Sequence, residues 1–405
     1  MLLRTIRPRL GAIRLNLKYF IYKIAIPVKV WKIRRKDKIR VLFVVAEVSM
    51  WKTENLYRAM LDHPRFEPLL LPASNIAKPD SSKEVEEYLR KKGYKYKLLS
   101  EKESIQDTIR PDIIFYQQPY SGWHSERKFE ASNNRKPLIC HVDYCFRIMM
   151  DKYMINNYIN LHAWKLFSEN EMTTKEMTSY MNNKGKNVIC TGLPVMDELI
   201  LDKAHFPDRW KKMPKAMKRI IYAPHHSITS SEPLSWGTIL EYADFMMSMA
   251  EKYKEQVQWI FKPHPFLYHK LCKIWGEHKT RDYDQWWKCM PNCQMIDDPY
   301  IDVFKHSDAM IHDCGSYMIE YHYTGNPVMY IYSSRVQNVQ ISRFARESLK
   351  LHYSAHCCED IEAFILNIIS GNDPLVKNRD LFKQRNLIPN GASACENIIA
   401  SILNS

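Results

Sequence analysis

At 405 residues the chain is long enough for two domains of ordinary size, each with its own core. Its hydrophobic content of 45% and aromatic content of 12% are typical of a globular protein and exclude a disordered one. The 11 glycines form neither a G-x-G-x-x-G nor a G-x-x-x-x-G-K-[ST] motif, which argues against dinucleotide-binding and P-loop chemistry.

Charge is distributed unevenly along the chain. The net charge is +14, and residues 1–40 hold 13 of the 59 Lys and Arg residues together with a single acidic residue, Asp37. The remainder is almost balanced, so we expect no groove for nucleic acid. The 10 cysteines form no C-x-x-C pair, which predicts reduced thiols, no zinc site and a cytosolic setting.

The first predicted element is a basic amphipathic helix within residues 1–38. Apolar residues recur there at helical spacing, with Arg and Lys between them. Because Lys23, Pro27 and Lys29 interrupt the longest apolar stretch, we expect neither a membrane span nor a signal peptide. The pattern favours a peripheral position on an anionic membrane surface, at the cytoplasmic face of the cell membrane. A helix packed on the protein's own body and an RNA-binding arm are the alternatives.

Residues 39–195 are predicted to form a Rossmann-like domain. Short apolar strands alternate with helices, which indicates a parallel sheet with helices on both faces. The predicted strands are Ile39–Ala46, Glu67–Leu71, Asp112–Tyr116, Leu138–Val142, Ala163–Ser168 and Val188–Thr191, and the main helices are Trp51–Leu61, Lys83–Lys92 and Glu171–Asn182.

Residues 196–218 are charged, contain proline and lack an apolar period, which predicts a linker. The alternation restarts in a second Rossmann-like domain, residues 219–405. Two such doubly wound domains facing a cleft make the α/β GT-B-type architecture. The second set of strands is Arg219–Ala223, Val257–Phe261, Gln294–Ile296, Ala309–Ile311 and Val328–Ile331, with helices at Gly237–Tyr253, Phe266–Gly276, 360–370 and 392–404.

A polar turn in the second domain is a candidate anion site. Residues 302–332 follow the order strand, turn, helix, strand, and the turn 312–316 lies at a strand's carboxyl end, where open α/β sheets bind ligands. Gly315 allows the backbone to approach a ligand, and Ser316 either caps the helix or binds a phosphate. Glu320, one helical turn later, either binds ribose hydroxyls or is an ordinary solvated residue.

Four short elements follow one another along residues 191–332. Together they resemble the CDP-glycerol glycerophosphotransferase family, which comprises teichoic-acid primases and polymerases and their capsule-polymerase relatives. The matching elements are Thr191–Asp197 (Gly-Tyr-Pro-Arg-x-Asp in the family), Ile220–His226 (a strand ending Tyr-Ala-Pro), Phe261–Pro265 (Arg/Lys-x-His-Pro) and the turn and helix of 312–332.

The resemblance implies a fold, a donor and an acceptor. It implies a GT-B-type transferase in which residues 219–405 bind a CDP-polyol, CDP-glycerol foremost, or another nucleotide-diphosphate donor. Residues 39–195 would bind a lipid-linked glycan or polymer. A hydroxyl of this acceptor would receive the polyol phosphate and CMP would be released, in teichoic-acid-like or capsule synthesis at the cell envelope. No cofactor is implied.

Donor-side roles fall on residues after the strands of the second domain. His264, flanked by prolines, is expected to stabilise a diphosphate or to protonate the leaving phosphate, with Lys262 supplying charge. Because adjacent residues of an extended chain face opposite ways, only one of His225 and His226 is expected to enter the cleft, and His226 is favoured. Ser227 is expected to donate to phosphate. The other donor-binding candidates are Asp313, Gly315, Ser316 and Glu320.

The acceptor base is less clearly marked. The family's polymerases carry a His-Gly-Thr-Pro-Leu-Lys element in the first domain that has no match here, and Val195 stands where the family has Arg. His141, at a strand end with Asp143 beside it, is the first candidate, and Tyr144 and His124 are its rivals.

Asp282-Tyr283-Asp284 spells the D-x-D motif of metal-dependent glycosyltransferases, but it is predicted to lie in a polar loop, so no metal site is expected. The rival functions are a GT-B glycosyltransferase that uses a nucleotide sugar and a non-catalytic, membrane-bound nucleotide-binding partner.

Overall fold

A computed structural model describes residues 19–120, 122–229, 235–296, 300–335 and 341–405. The chain divides into two compact units, of which unit 1 comprises residues up to Asp197 together with Ile388–Ser405, and unit 2 comprises Glu198–Leu387. This division differs from the predicted domains at two places. The carboxyl-terminal segment packs in unit 1, although it was assigned to the second domain, and most of the predicted linker belongs to unit 2.

The strands alternate with helices along the whole described chain. The strands are β1 (Ile39–Val45), β2 (Phe66–Pro72), β3 (Ile113–Tyr116), β4 (Leu138–Val142), β5 (Lys165–Ser168), β6 (Val188–Cys190), β7 (Lys218–Ala223), β8 (Val257–Phe261), β9 (Cys293–Met295), β10 (Ala309–His312), β11 (Val328–Ile331) and β12 (Tyr353–Ala355).

The helices range from single turns to four turns in length. They are α1 (described over 19–34), α2 (Glu54–Asp62), α3 (Ser81–Lys91), α4 (Lys152–Ile155), α5 (Tyr158–His162), α6 (Glu171–Tyr180), α7 (Asp197–Ile200), α8 (Ile239–Lys252), α9 (Leu267–Trp275), α10 (Glu277–Cys289), α11 (Ile301–Lys305), α12 (Tyr317–Glu320), α13 (Arg343–Leu349), α14 (Cys358–Ser370), α15 (Val376–Asn386) and α16 (Ala394–Leu403).

Each unit contains one parallel six-stranded sheet, with the order β2-β1-β3-β4-β5-β6 in unit 1 and β12-β11-β10-β7-β8-β9 in unit 2. The predicted doubly wound α/β class is therefore confirmed. In unit 2 the order reverses between β7 and β10, which pair with Ile220 opposite Ala309 and Ala223 opposite His312. The crevice outside such a topological switch point is where this class of sheet binds ligands.

The predicted strands are confirmed with boundaries shifted by at most two residues, because the apolar runs of most of them are buried on both faces of a parallel sheet. Strand β12 was not predicted, since it is only three residues long and two of them are incompletely buried. The D-x-D segment, predicted as a loop, lies inside helix α10. The many charged residues of this helix hid the helical spacing of the residues that are buried on one of its sides.

Helix α1 packs on the sheet of unit 1 along one side. Tyr22 belongs to the apolar core cluster of that unit, and its hydroxyl oxygen accepts the backbone N–H of Ile139 at 2.9 Å. The side chain of Lys29 donates to the carbonyl oxygen of Arg135 at 2.5 Å. The preceding part of the predicted amphipathic segment, residues 1–18, lies outside the described residues.

No helix in the described part of the chain is long and apolar enough to cross a membrane.

Candidate functional site

Asp313 joins three segments at the switch point of unit 2. It follows β10 and is buried, with 1% of its surface exposed. One carboxylate oxygen accepts the backbone N–H of His225, which follows β7, at 2.5 Å. The other accepts the backbone N–H and the hydroxyl of Thr238, directly before α8, at 2.6 and 2.8 Å. The carboxylate therefore positions the loop after β7 and the start of α8, and these contacts turn it away from the role predicted for it, direct donor binding.

Three histidines form a cluster beside this carboxylate. One ring nitrogen from each of His225, His226 and His264 lies within 4.8 Å of the others. The ring centroids of His225 and His226 are 4.3 Å apart, and those of His226 and His264 are 4.2 Å apart. The expectation that only one of the adjacent pair enters the site is wrong, because both residues lie beyond the end of β7, where strand alternation no longer applies.

The hydrogen bonds at Nδ1 determine which nitrogen carries the proton. The Nδ1 atom of His225 accepts the backbone N–H of Ser227 at 3.2 Å, and that of His264 accepts the backbone N–H of Phe266 at 3.2 Å. The ammonium of Lys270 lies 2.8 Å from Nδ1 of His226. Because each Nδ1 accepts, a neutral ring carries its hydrogen on Nε2. The cluster thus presents N–H donors.

Burial, followed by the charges of neighbouring groups, lowers the pKa of all three rings. The pKa falls from 6.5 to about 2 for His225, about 4 for His226 and about 3 for His264. The rings are therefore neutral near pH 7 when no anion is bound. A neutral histidine that binds a metal through Nε2 needs its hydrogen on Nδ1 as an outward donor, the opposite of the arrangement here. The geometry favours an oxyanion such as a diphosphate over a metal ion.

Tyr300, which the sequence interpretation missed, contacts both Lys262 and Glu320. The ammonium of Lys262 lies 5.4 Å from the ring centroid of Tyr300, whose hydroxyl donates to Glu320 at 2.5 Å. Glu320 is 5% exposed, so the reading as a solvated residue is wrong, and one of its oxygens is engaged by the tyrosine. A tyrosine 20 residues before a glutamate gives no sequence signal for this contact.

The turn after β10 leaves less space for a ligand than its sequence predicted. A Cβ atom at Gly315 would lie 2.3 Å from the ring of Trp236, so this glycine makes room for an indole and not for a ligand. Helix α12 begins at Tyr317, and within the described residues Ser316 makes no side-chain cap bond. The hydroxyl of Ser227 lies 2.7 Å from Nδ1 of His225 and accepts the backbone N–H of Trp236, so it orders the loop and is not directed at a phosphate.

His141 is fully buried in unit 1 with both ring nitrogens engaged. Nδ1 lies 3.0 Å from the carbonyl oxygen of Tyr116, and Nε2 lies 2.9 Å from a carboxylate oxygen of Asp143. Although burial opposes it, the charges of Arg147 and His141 lower the pKa of Asp143, so that carboxylate is an acceptor. Each ring nitrogen therefore faces an oxygen of the protein, and neither is directed at an acceptor hydroxyl as the predicted base role requires.

The rival His124 has the complementary arrangement. Its Nδ1 lies 3.2 Å from a carboxylate oxygen of Glu130, which also accepts the residue's backbone N–H at 2.9 Å. Its Nε2 is buried and, among the described residues, has no hydrogen-bond partner. With the hydrogen on Nδ1, this ring keeps a lone pair on Nε2. Tyr144, the other rival, has its hydroxyl 3.3 Å from that of Tyr120.

Comparison with solved structures identifies the class of fold. The chain is similar to a UDP-GlcNAc 2-epimerase from Neisseria meningitidis bound to UDP-GlcNAc, at 13% identity and a TM-score of 0.58, covering 91% of this chain and 100% of that one. It is also similar to a variant of the wall teichoic acid polymerase TagF soaked with CDPG, at 12% identity and a TM-score of 0.57, covering 97% of both chains. These likenesses define a GT-B-type fold.

The family assignment rests on the sequence. The family model of CDP-glycerol:poly(glycerophosphate) glycerophosphotransferases matches residues 149–404. The chain belongs to this family and is a transferase of that type, as the four sequence elements indicated. No curated protein matches the chain.

Replacing Asp313 by alanine should weaken both the fold and anion binding. The substitution leaves two buried backbone N–H groups without an acceptor, which costs about 2–4 kcal/mol of the free energy of unfolding. It also releases the histidine loop, so we expect pyrophosphate to bind at least about tenfold more weakly by calorimetry.

Asp308→Ala is the matched control, because Asp308 accepts the backbone N–H of Arg219 at 2.8 Å at the opposite end of the same strand pair. It should lower stability and leave pyrophosphate binding unchanged. Equal binding losses in the two variants would contradict a positioning role for Asp313.

Diphosphate binding should strengthen as the pH falls from 8 to 6. A bound anion favours the charged imidazole and so raises the lowered pKa of the cluster, and binding then takes up protons. CDP-glycerol is a suitable probe, because each of its phosphates has one ester and one anhydride bond and therefore keeps a single constant charge. The affinity should rise by up to about tenfold per pH unit for each proton taken up, as measured by calorimetry.

His264→Gln retains an N–H donor that does not titrate, so its pH slope should be shallower. The difference between the two slopes belongs to His264, because Asp313, whose pKa burial raises to about 7, titrates in both proteins. Folding stability changes in the opposite direction to binding when no anion is bound. Because the pKa of His264 is lowered, its contribution to stability is present above pH 6.5 and is lost as the pH falls. The binding measurements should therefore be made above pH 6. An affinity that does not change across this range would rule out proton uptake by the cluster.

Proposed function

We propose that the protein transfers a polyol phosphate, foremost glycerol phosphate, from a CDP-activated donor to a hydroxyl of a lipid-linked glycan or polymer. CMP is the second product, and the polymer belongs to a teichoic acid, a capsule or a similar cell-surface polysaccharide. The observation that carries the proposal is the cluster of His225, His226 and His264, whose N–H donors lie at the switch point of a chain from this family.

The proposed step exchanges one P–O bond for another. An acceptor oxygen attacks the phosphorus that bears the polyol, and the bond from this phosphorus to the bridging oxygen breaks. The bridging oxygen leaves with the electron pair as part of CMP, and the proton of the acceptor hydroxyl goes to a base. The negative charge that develops on the leaving phosphate is what the histidine N–H donors would stabilise.

The donor-side residues divide into contact and positioning roles in this proposal. His264 and Lys262 contact the diphosphate, and Ser316 offers its hydroxyl from the turn after β10. Asp313 holds the histidine loop, and Glu320 holds Tyr300 beside Lys262.

For the acceptor base we propose His124 in place of His141. The carboxylate of Glu130 accepts from Nδ1 of His124 and leaves a lone pair on Nε2, which is the arrangement that general bases use. His141 is held between a carbonyl and a carboxylate and serves to anchor the loop after β4.

The exposed side of α1 supports a peripheral position on the cytoplasmic face of the membrane. Its apolar side chains are half-exposed or more, with values of 63% for Phe20, 61% for Ile24, 55% for Val28 and 52% for Trp31. They recur every three or four residues and therefore form one stripe, and exposed basic side chains lie on either side of it. Such a stripe suits an anionic bilayer surface, where a lipid-linked acceptor would be presented.

The purified full chain should release CMP from CDP-glycerol when a lipid-linked acceptor is present. His124→Gln should lower the rate by about a hundredfold or more while leaving CDP-glycerol affinity unchanged, because the base acts on the acceptor only. The measurement is CMP release by chromatography, with CDP-glycerol binding followed in parallel.

Donor profiling separates the rival functions. Release of UDP or CMP from a nucleotide sugar, with CDP-polyols inert, would replace the proposal by a glycosyltransferase. Tight CDP-glycerol binding without turnover on any acceptor would instead leave a non-catalytic nucleotide-binding partner.

Replacing Phe20, Ile24 and Trp31 together by serine should reduce binding to anionic vesicles by about tenfold or more in a flotation assay, because three exposed apolar anchors are lost. A matched triple replacement of exposed apolar residues elsewhere, Ile76, Leu366 and Leu381, should leave binding unchanged. Equal loss in both triples, or no binding by the unmodified chain, would reject the role of α1.

A further inference from the structure

A cavity of about 430 Å³ opens in unit 2 beside the histidine cluster. His264 belongs to both, since its ring takes part in the cluster and also lines the cavity. One wall is apolar and is formed by Phe261, Leu271 and Met295. Small-molecule sites typically measure about 300–1,000 Å³ and combine an apolar lining with a few polar groups, so the cavity has the size of a ligand site.

A polar side of helix α10 also lines the cavity. Arg281, Asp284, Gln285 and Lys288 all line the cavity, and their spacing of three, four and seven residues places them on one side of the helix. Asp284 is buried, with 9% of its surface exposed, whereas the other three are exposed at the rim. A carboxylate therefore lies in the wall, between two cations.

These groups distinguish between classes of ligand. The charged rim does not suit a lipid chain, and the buried carboxylate suits a ligand that brings a hydrogen-bond donor, which a phosphate lacks. A flat heteroaromatic ring matches the lining, because its faces contact apolar side chains while its edge carries both donors and acceptors. Since His264 lines the cavity and also belongs to the proposed diphosphate cluster, a single nucleotide would occupy both with its base and its phosphates.

We propose that this cavity binds the pyrimidine base of the donor and that Asp284 selects cytosine over uracil. The inference rests on the proposed function, which supplies the nucleotide donor. The exocyclic amine of cytosine donates to a carboxylate, whereas uracil presents an acceptor oxygen at the same position and would face the carboxylate unfavourably. Gln285 and the two cations at the rim provide donors for the ring nitrogen and the carbonyl oxygen of cytosine.

The test measures the affinities of the full chain for CMP, UMP and pyrophosphate by calorimetry. The unmodified chain should prefer CMP over UMP by about tenfold or more, because a site built to bind one hydrogen-bonding edge rejects the other. Asp284→Asn should reduce this ratio to near one, since an amide can donate to uracil as well as accept from cytosine. Pyrophosphate, which has no base, should bind as before.

Asp282→Asn is the matched control. This residue belongs to the same D-x-D motif, but its side chain is 58% exposed and pairs with His278. The variant should leave all three affinities unchanged. If Asp284→Asn does not fold, Gln285→Trp at the exposed rim replaces it, because a bulky ring there fills the cavity and should weaken both nucleotides while sparing pyrophosphate.

The outcomes separate this inference from the proposed function. An unmodified chain that binds CMP and UMP equally, or an Asp284→Asn variant that keeps the CMP preference, overturns the base assignment even if CMP is still released from CDP-glycerol. An equal loss of pyrophosphate binding in that variant also overturns it. A preference that depends on Asp284, in a protein that transfers no polyol phosphate, supports the cavity assignment and rejects the proposed function.

Discussion

The Asp313 carboxylate is the contact on which the site in unit 2 depends. Its two oxygens accept three hydrogen bonds from His225 and Thr238, so the end of β10, the loop after β7 and the start of α8 are held together at the point where the strand order reverses. Burial outweighs the opposing effect of the donors around this carboxyl group and raises its pKa to about 7. The loop that carries the histidines is held by this group.

The histidine cluster shows how backbone contacts can set the chemistry of a site. Backbone N–H groups of Ser227 and Phe266 point at Nδ1 of His225 and His264, and in this way they leave the Nε2 hydrogens as donors. Burial keeps the rings neutral, so the empty site avoids the repulsion that three adjacent imidazolium ions would create. In the proposed function, an arriving diphosphate would supply the charge that makes protonation favourable, and anion binding would be coupled to proton uptake.

The sequence predicted much of this arrangement, and the failures have physical causes. Strands such as β4 and β8 were placed correctly because buried parallel strands are continuous apolar runs. Helix α10 was taken for a loop because its many charged residues hide the spacing of the few residues that it buries. Gly315 was assigned to a ligand, although the indole of Trp236, 79 residues away in the chain, occupies the space beside it. No local pattern reports such a long-range contact.

By itself, the sequence determined the doubly wound class, the family, the basic amphipathic segment and the strand ends at which polar residues collect, because periodicity, composition and short motifs are local properties of the chain. Only the tertiary structure decided which of those polar residues can act. In the structure, His141 lies between two oxygen atoms and Glu320 accepts a hydrogen bond from Tyr300. Both adjacent histidines lie beside His264, and Asp284 lines a cavity. Protonation and access depend on the atoms that surround a side chain, and these come from distant parts of the chain.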